Sequence, residues 1–107
     1  MEISPRQLLD RIAGRTAPTI LDVRSGWEYR RGRVPGAIHI PFWTLSTRVS
    51  EVPGSADDPL VVYCGYGPRA WMAGAVLRRR GFRNVMYLAG HMHGWRRAGL
   101  VEERGTT

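Results

Sequence analysis

The stretch Leu60-Val61-Val62-Tyr63-Cys64-Gly65-Tyr66-Gly67-Pro68-Arg69 constrains this chain more than any other. Its first four residues are apolar without alternation, the pattern of a strand covered on both faces in a parallel sheet. Two glycines and a proline then give a tight loop. Residues 69–80 read as a helix, apolar almost all round at its start and therefore buried. Gly81 ends it, and Arg78, Arg79 and Arg80 suit its negative end. A strand, a short loop and a buried helix in succession specify a layered α/β fold.

The rest of the chain fits that plan. Ser4-Pro5-Arg6-Gln7 opens a helix: Ser4 caps it, Pro5 fits its first turn, and Gln7 completes a capping box. Leu8, Leu9 and Ile12 form its apolar face, and Gly14 stops it. Residues 19–23 read as a strand and 25–31 as a short helix. Val34-Pro35-Gly36 is a turn, and residues 37–40 form a brief strand. Residues 42–52 read as one helix, broken by Pro53-Gly54. Residues 84–88 form another strand and 91–98 a last short helix. The expected fold is a single α/β domain over 1–107, with a mainly parallel sheet, helices on both faces and a flexible tail over about 102–107. In such sheets ligands bind beyond the carboxyl ends of the strands. Asp22, Arg24, His39, Cys64 and His91 all fall at such ends, so they are expected along one edge.

At 107 residues, the chain has room for one core. Its net charge is +7, and every basic residue is arginine. The arginines are scattered, and no zinc finger, basic zipper or RNA-binding aromatic signature accompanies them, so no nucleic-acid partner is expected. The positive field suits a small anionic substrate. The N-terminus lacks the pattern of a secretory signal, and no apolar run approaches the roughly 18 residues of a membrane span. The expectation is a cytoplasmic protein without a membrane partner. The single cysteine excludes an intramolecular disulfide and any CxxC pair. His91 and His93 are too few for a metal site, so no metal is expected.

Cys64 is where the chemistry gathers. Glycines at 65 and 67 let successive backbone N–H groups turn inward as an anion-binding nest. The following helix adds its free N–H groups and positive end. A cysteine at the start of such a cradle is biased toward thiolate, the nucleophilic form. An inert buried cysteine is the plainer alternative. Gly65-Tyr66-Gly67-Pro68-Arg69-Ala70 also matches the dinucleotide pattern G-x-G-x-x-A. That motif needs an acidic residue about 20 positions further on. No Asp or Glu stands between Cys64 and Glu102, which argues against it.

These residues resemble the active-site loop of single-domain rhodaneses, which are sulfurtransferases. Leu21-Asp22-Val23-Arg24 with Glu28-Tyr29, then Val34-Pro35-Gly36-Ala37-Ile38-His39-Ile40-Pro41, then Leu88-Ala89-Gly90 with Gly94-Trp95 resemble the family's other signatures, in the family's order. The resemblance implies that Cys64 takes sulfur from a small anionic donor such as thiosulfate. The resulting persulfide would pass it to a thiol, to cyanide or to a protein acceptor, with no cofactor. Gly65, Tyr66, Gly67, Pro68, Arg69 and Ala70 would form the anion-binding loop. Related phosphatases and arsenate reductases carry one residue more between cysteine and arginine, and Tyr63 stands where those phosphatases usually have His. Gly65 replaces the basic residue common in thiosulfate users, which leaves mercaptopyruvate open as donor. Pro68 lacks an N–H, and Arg33 replaces a usual His. A persulfide carrier and a non-catalytic binding module are the rival readings.

Among supporting residues, Asp22 and Arg24 are expected to tie loops together, with Glu28 as partner for Arg24. Arg69 suits either the donor or an internal acid. His39 and His91 are expected in structural roles, His93 on the surface, and Tyr66 exposed at the loop's tip. Trp27, Trp43, Trp71 and Trp95 are expected in the core or as pocket walls.

Overall fold

The computed structural model of the protein describes residues 1–105. Five strands form one sheet: β1 (Glu2–Ile3), β2 (Thr19–Asp22), β3 (Ile38–His39), β4 (Leu60–Tyr63) and β5 (Val85–Leu88). Their spatial order is β1-β5-β4-β2-β3, and every pairing is parallel. The principal helices are α1 (Pro5–Ala13), α2 (Gly26–Arg31), α3 (Leu45–Arg48), α4 (Pro68–Arg79) and α5 (His91–Arg97).

Alternation along the central strand divides the core in two. Leu60, Val62 and Cys64 face Ala70, Ala73 and Leu77 of α4. Val61 and Tyr63 face Leu8 of α1 and Met92 and Trp95 of α5. The expected two-sided α/β domain is therefore the observed one. The close fit of α4 requires Gly74, because a Cβ there would collide with the Tyr87 hydroxyl. The capping box at Ser4 and Gln7 forms as expected, and a second joins Ser25 and Glu28 at the start of α2.

Several local expectations need correction. β1, two residues long, was not foreseen; it hydrogen-bonds along β5. The helix expected over 42–52 is three pieces, with 3-10 turns at Phe42–Thr44 and Val49–Glu51 on either side of α3. Thr44, Ser46, Thr47, Val49 and Ser50 are mediocre helix formers, and no side chain caps any of the pieces. Only Trp95 of the four tryptophans is buried; Trp27, Trp43 and Trp71 are each more than half exposed. The start of the expected flexible tail makes contacts: Arg33 and Glu103 form an antiparallel bridge, and the Gly105 N–H donates to the Arg30 carbonyl. Residues 106 and 107 of that tail lie outside the described residues.

Candidate active site

Parallel register gathers the predicted edge. Asp22 ends β2 and pairs with Tyr63 on one side and His39 on the other. Cys64 follows β4 directly, and His91 opens α5 just beyond β5. All of these lie at the carboxyl end of the sheet.

Cys64 is fully buried among side chains of the α4 face. The loop turns the Gly67 N–H onto its sulfur, with N 3.0 Å from Sγ. Gly67 does so at φ +144°, a conformation favouring glycine, and a Cβ there would press on the Trp71 ring at 2.8 Å. Pro68 occupies the first turn of α4, where its missing N–H costs little. The helix thus begins one residue earlier than expected.

The N-terminal end of α5 holds the other side of the loop. Met92 N–H donates to the Cys64 carbonyl at 2.9 Å and His93 N–H to the Gly65 carbonyl at 3.1 Å. His91, buried and at φ +55°, accepts the Cys64 N–H on Nδ1 at 3.3 Å. Burial lowers its pKa below the usual histidine value, while Glu2 acts weakly in the other direction. A neutral imidazole accepting on Nδ1 carries its proton on Nε2. His91 therefore positions the cysteine backbone. Tyr66 is exposed at the tip, as expected, and stacks on exposed His93 with ring centroids 4.8 Å apart.

The arginine pairings differ from expectation. Arg24 turns inward: its guanidinium meets Asp22 at 2.7 Å, and its own N–H donates to Asp22 Oδ1 at 2.9 Å. It also donates to the Gly32 carbonyl at 2.7 Å. Glu28 is thus not its partner. Instead Arg69 Nη1 and Nη2 reach the two Glu28 oxygens at 2.6 and 3.0 Å. This pairing, with smaller help from Ser25, holds the Glu28 carboxyl down at about 2 against the effect of burial. Arg69 is engaged by an internal acid. A Cβ on Gly65 would lie 3.1 Å from Arg69 Nη2, so glycine there makes room for the pair.

Behind the loop, Tyr63 donates its hydroxyl to Asp22 at 2.8 Å and accepts the Val34 N–H at 3.1 Å. Sequence reasoning missed this role. Its signal was a polar-tipped aromatic ending an apolar strand. His39 donates Nε2–H to the Arg24 carbonyl at 2.7 Å and stacks on Tyr29. Buried Asp22, Arg24 and Tyr63, with half-buried His39, thus form a brace joining β2, β3 and β4. A mouth of about 140 Å³, lined by Arg24, Glu28, Gly65, Tyr66, Met92, His93 and Arg96, opens over the loop. Among the described residues, no group of three or more His, Cys, Asp or Glu is placed to hold a metal ion, and no helix is long and apolar enough to cross a membrane.

Comparison with known proteins agrees with this arrangement. The rhodanese-like domain model matches residues 4–98. A protein of Allochromatium vinosum named as a sulfurtransferase is 33% identical over 99 residues, covering 92% of this chain and 91% of its own. A Bacillus subtilis protein, YrkF, whose name proposes a sulfur-carrier role, is 30% identical over 94 residues; the match covers 88% of this chain but half of that protein. The crystal structure of the Alr3790 protein from Anabaena superposes with a TM-score of 0.84 at 30% identity, covering 95% of this chain and 81% of that one. With the cysteine loop, the parallel sheet and a match spanning nearly its whole length, this chain belongs to the rhodanese-like domain family.

Proposed function

We propose that this protein is a sulfurtransferase that carries sulfane sulfur on Cys64. The observation that supports it is the Gly67 N–H directed at the Cys64 sulfur in a short loop capped by a helix N-terminus. A donor fixed at the N-cap of α4 stabilises negative charge without reorganising during reaction. In the first step the Cys64 thiolate attacks the outer sulfur of thiosulfate. The sulfur–sulfur bond of the donor breaks, sulfite leaves with its electron pair, and a Cys64 persulfide remains. In the second step an acceptor thiolate attacks the outer persulfide sulfur, and the Cys64 thiolate departs unchanged. This splits one transfer into two. Neither step requires a general base, which agrees with structural roles for His91 and His39.

The mouth suits a small donor, and Gly65 leaves it without a basic side chain at that position. Mercaptopyruvate therefore stands beside thiosulfate as donor. Reliance on one unpaired thiol suits a reducing compartment, in keeping with a cytoplasmic site. The name of the YrkF relative favours a second reading, in which the persulfide serves mainly a protein acceptor. Thiocyanate formation from thiosulfate and cyanide tests the first reading: wild type should turn over and Cys64→Ser should not. Turnover retained in Cys64→Ser rules out the persulfide route.

A further inference from the structure

A second cleft, of about 580 Å³, adjoins the mouth and is lined by Arg24, Trp27, Glu28, Arg31, Arg96 and Arg104. It shares Arg24, Glu28 and Arg96 with the mouth over the Gly65–Tyr66 loop, so the two adjoin. Four arginines face one glutamate in it. The Glu28 charge is already matched by Arg69, and that of Arg24 by Asp22. Arg96 holds Glu102 loosely, at 3.3 Å. Arg31 and Arg104 are exposed and form no ion pair with a described carboxylate. Arg31 lies over the Trp27 ring at 4.6 Å, and that ring is itself 61% exposed.

The mouth, at about 140 Å³, has room for a small anion without the larger cleft. Its volume falls in the range of sites that enclose drug-sized or larger groups. Arginine clusters recognise acidic motifs through paired N–H donors, and exposed Trp, Tyr and Arg are the side chains that dominate protein contacts.

We infer that this cleft docks an acidic segment of an acceptor protein, with the segment's cysteine brought over the mouth to take sulfur from Cys64. Carboxylates flanking that cysteine would meet Arg31, Arg96 and Arg104, with Trp27 and Tyr66 covering the segment's backbone. The segment's thiolate attacks the outer sulfur of the Cys64 persulfide. The bond to Sγ breaks, Cys64 leaves as thiolate, and the persulfide now belongs to the acceptor. The inference rests on the persulfide reading above.

The test uses two peptides, a cysteine flanked by Asp and Glu and the same cysteine flanked by Ser, with wild type and Arg31→Gln/Arg104→Gln. Both arginines are exposed, so the core is untouched. Discharge of preloaded protein should be at least about tenfold faster to the acidic peptide at low salt, in the range of electrostatic steering. That preference should vanish in high salt and in the double variant, while discharge to the Ser-flanked peptide stays the same. Equal rates for the two peptides, or an undiminished preference in the double variant, overturn the cleft's role. A second arm needs no sulfur: fluorescence anisotropy of a labelled acidic peptide carrying Ser in place of Cys. Salt-sensitive binding lost in the double variant supports the cleft even if Cys64 fails to load, a failure that counts against the sulfur reading alone. Binding unaffected by the double substitution overturns the cleft.

Discussion

Arg69 and Glu28, 41 residues apart in the chain, close a two-pronged ion pair beside Gly65. The pair occupies the cation that an anionic donor would otherwise meet. Glu28→Gln should release Arg69 and lower the KM for thiosulfate by about threefold, in line with the modest strength of a part-exposed pair. The same change should cost roughly 0.2–1 kcal/mol of stability. A KM that does not fall means that Arg69 stays out of donor binding even when free.

The acid limb follows from the same pair. The Glu28 carboxyl sits at about 2, below its ordinary 4.5. A depressed carboxylate contributes stability above its unfolded value, and that contribution disappears as pH falls through the folded value. The stability gap between wild type and Glu28→Gln should therefore be constant above about pH 4.5 and close toward pH 2. Denaturant melts of both proteins across that range measure it; a gap that persists at pH 2 contradicts the pairing.

His91 has the opposite chemistry and the same pH sign. Burial lowers its pKa from 6.5, so the unfolded chain binds more protons below that value. Its contribution is complete above pH 6.5 and is lost as pH falls through the lowered folded value. His91→Asn keeps an acceptor for the Cys64 N–H, and Asn tolerates positive φ. Wild type should thus lose Tm relative to His91→Asn between pH 7 and 5, at about neutral reference values for histidine. Parallel Tm curves over that range would remove the buried neutral imidazole from the account.

The brace behind the loop predicts a ranking. Tyr63→Phe strands the Val34 N–H and removes one donor from Asp22 Oδ2, which Arg24 still reaches, at a cost of about 1–3 kcal/mol. Asp22→Asn leaves the Arg24 guanidinium buried without its counter-charge, which costs about 3–5 kcal/mol. Urea melts should order them wild type, Tyr63→Phe, then Asp22→Asn. The reverse order would show that Tyr63, and not Asp22, anchors the brace.

Gly67→Ala meets two obstacles, a positive φ and the Trp71 ring. Strain of about 1–3 kcal/mol concentrated in the loop should shift the N–H from the sulfur and cut sulfur transfer by about tenfold or more. Adding Trp71→Ala removes the clash but not the φ, so recovery should be partial. Full recovery would assign the whole effect to the ring.

Much of this was legible in residue order. The apolar run ending at Cys64, the glycines after it and the capping signals at Ser4 and Gln7 are local, and local physics decides them. The edge carrying Asp22, His39, Cys64 and His91 followed from strand ends alone. What escaped depends on partners distant in sequence. β1 exists only because β5 offers it hydrogen bonds at Tyr87 and Ala89. Arg24 selects Asp22 because its own N–H already binds that carboxylate, which leaves Glu28 to Arg69. Trp27, Trp43 and Trp71 are large and apolar but fall on outward helix and turn positions, which residue type does not reveal.

The central claim is that Cys64 carries the sulfur, and intact mass tests it most directly. Wild type is treated with thiosulfate or with mercaptopyruvate, desalted and weighed, with Cys64→Ser alongside. The account predicts one added sulfur atom on wild type, removed by a thiol, and none on Cys64→Ser. Unchanged wild-type mass with both donors, or a sulfur adduct on Cys64→Ser, would contradict it.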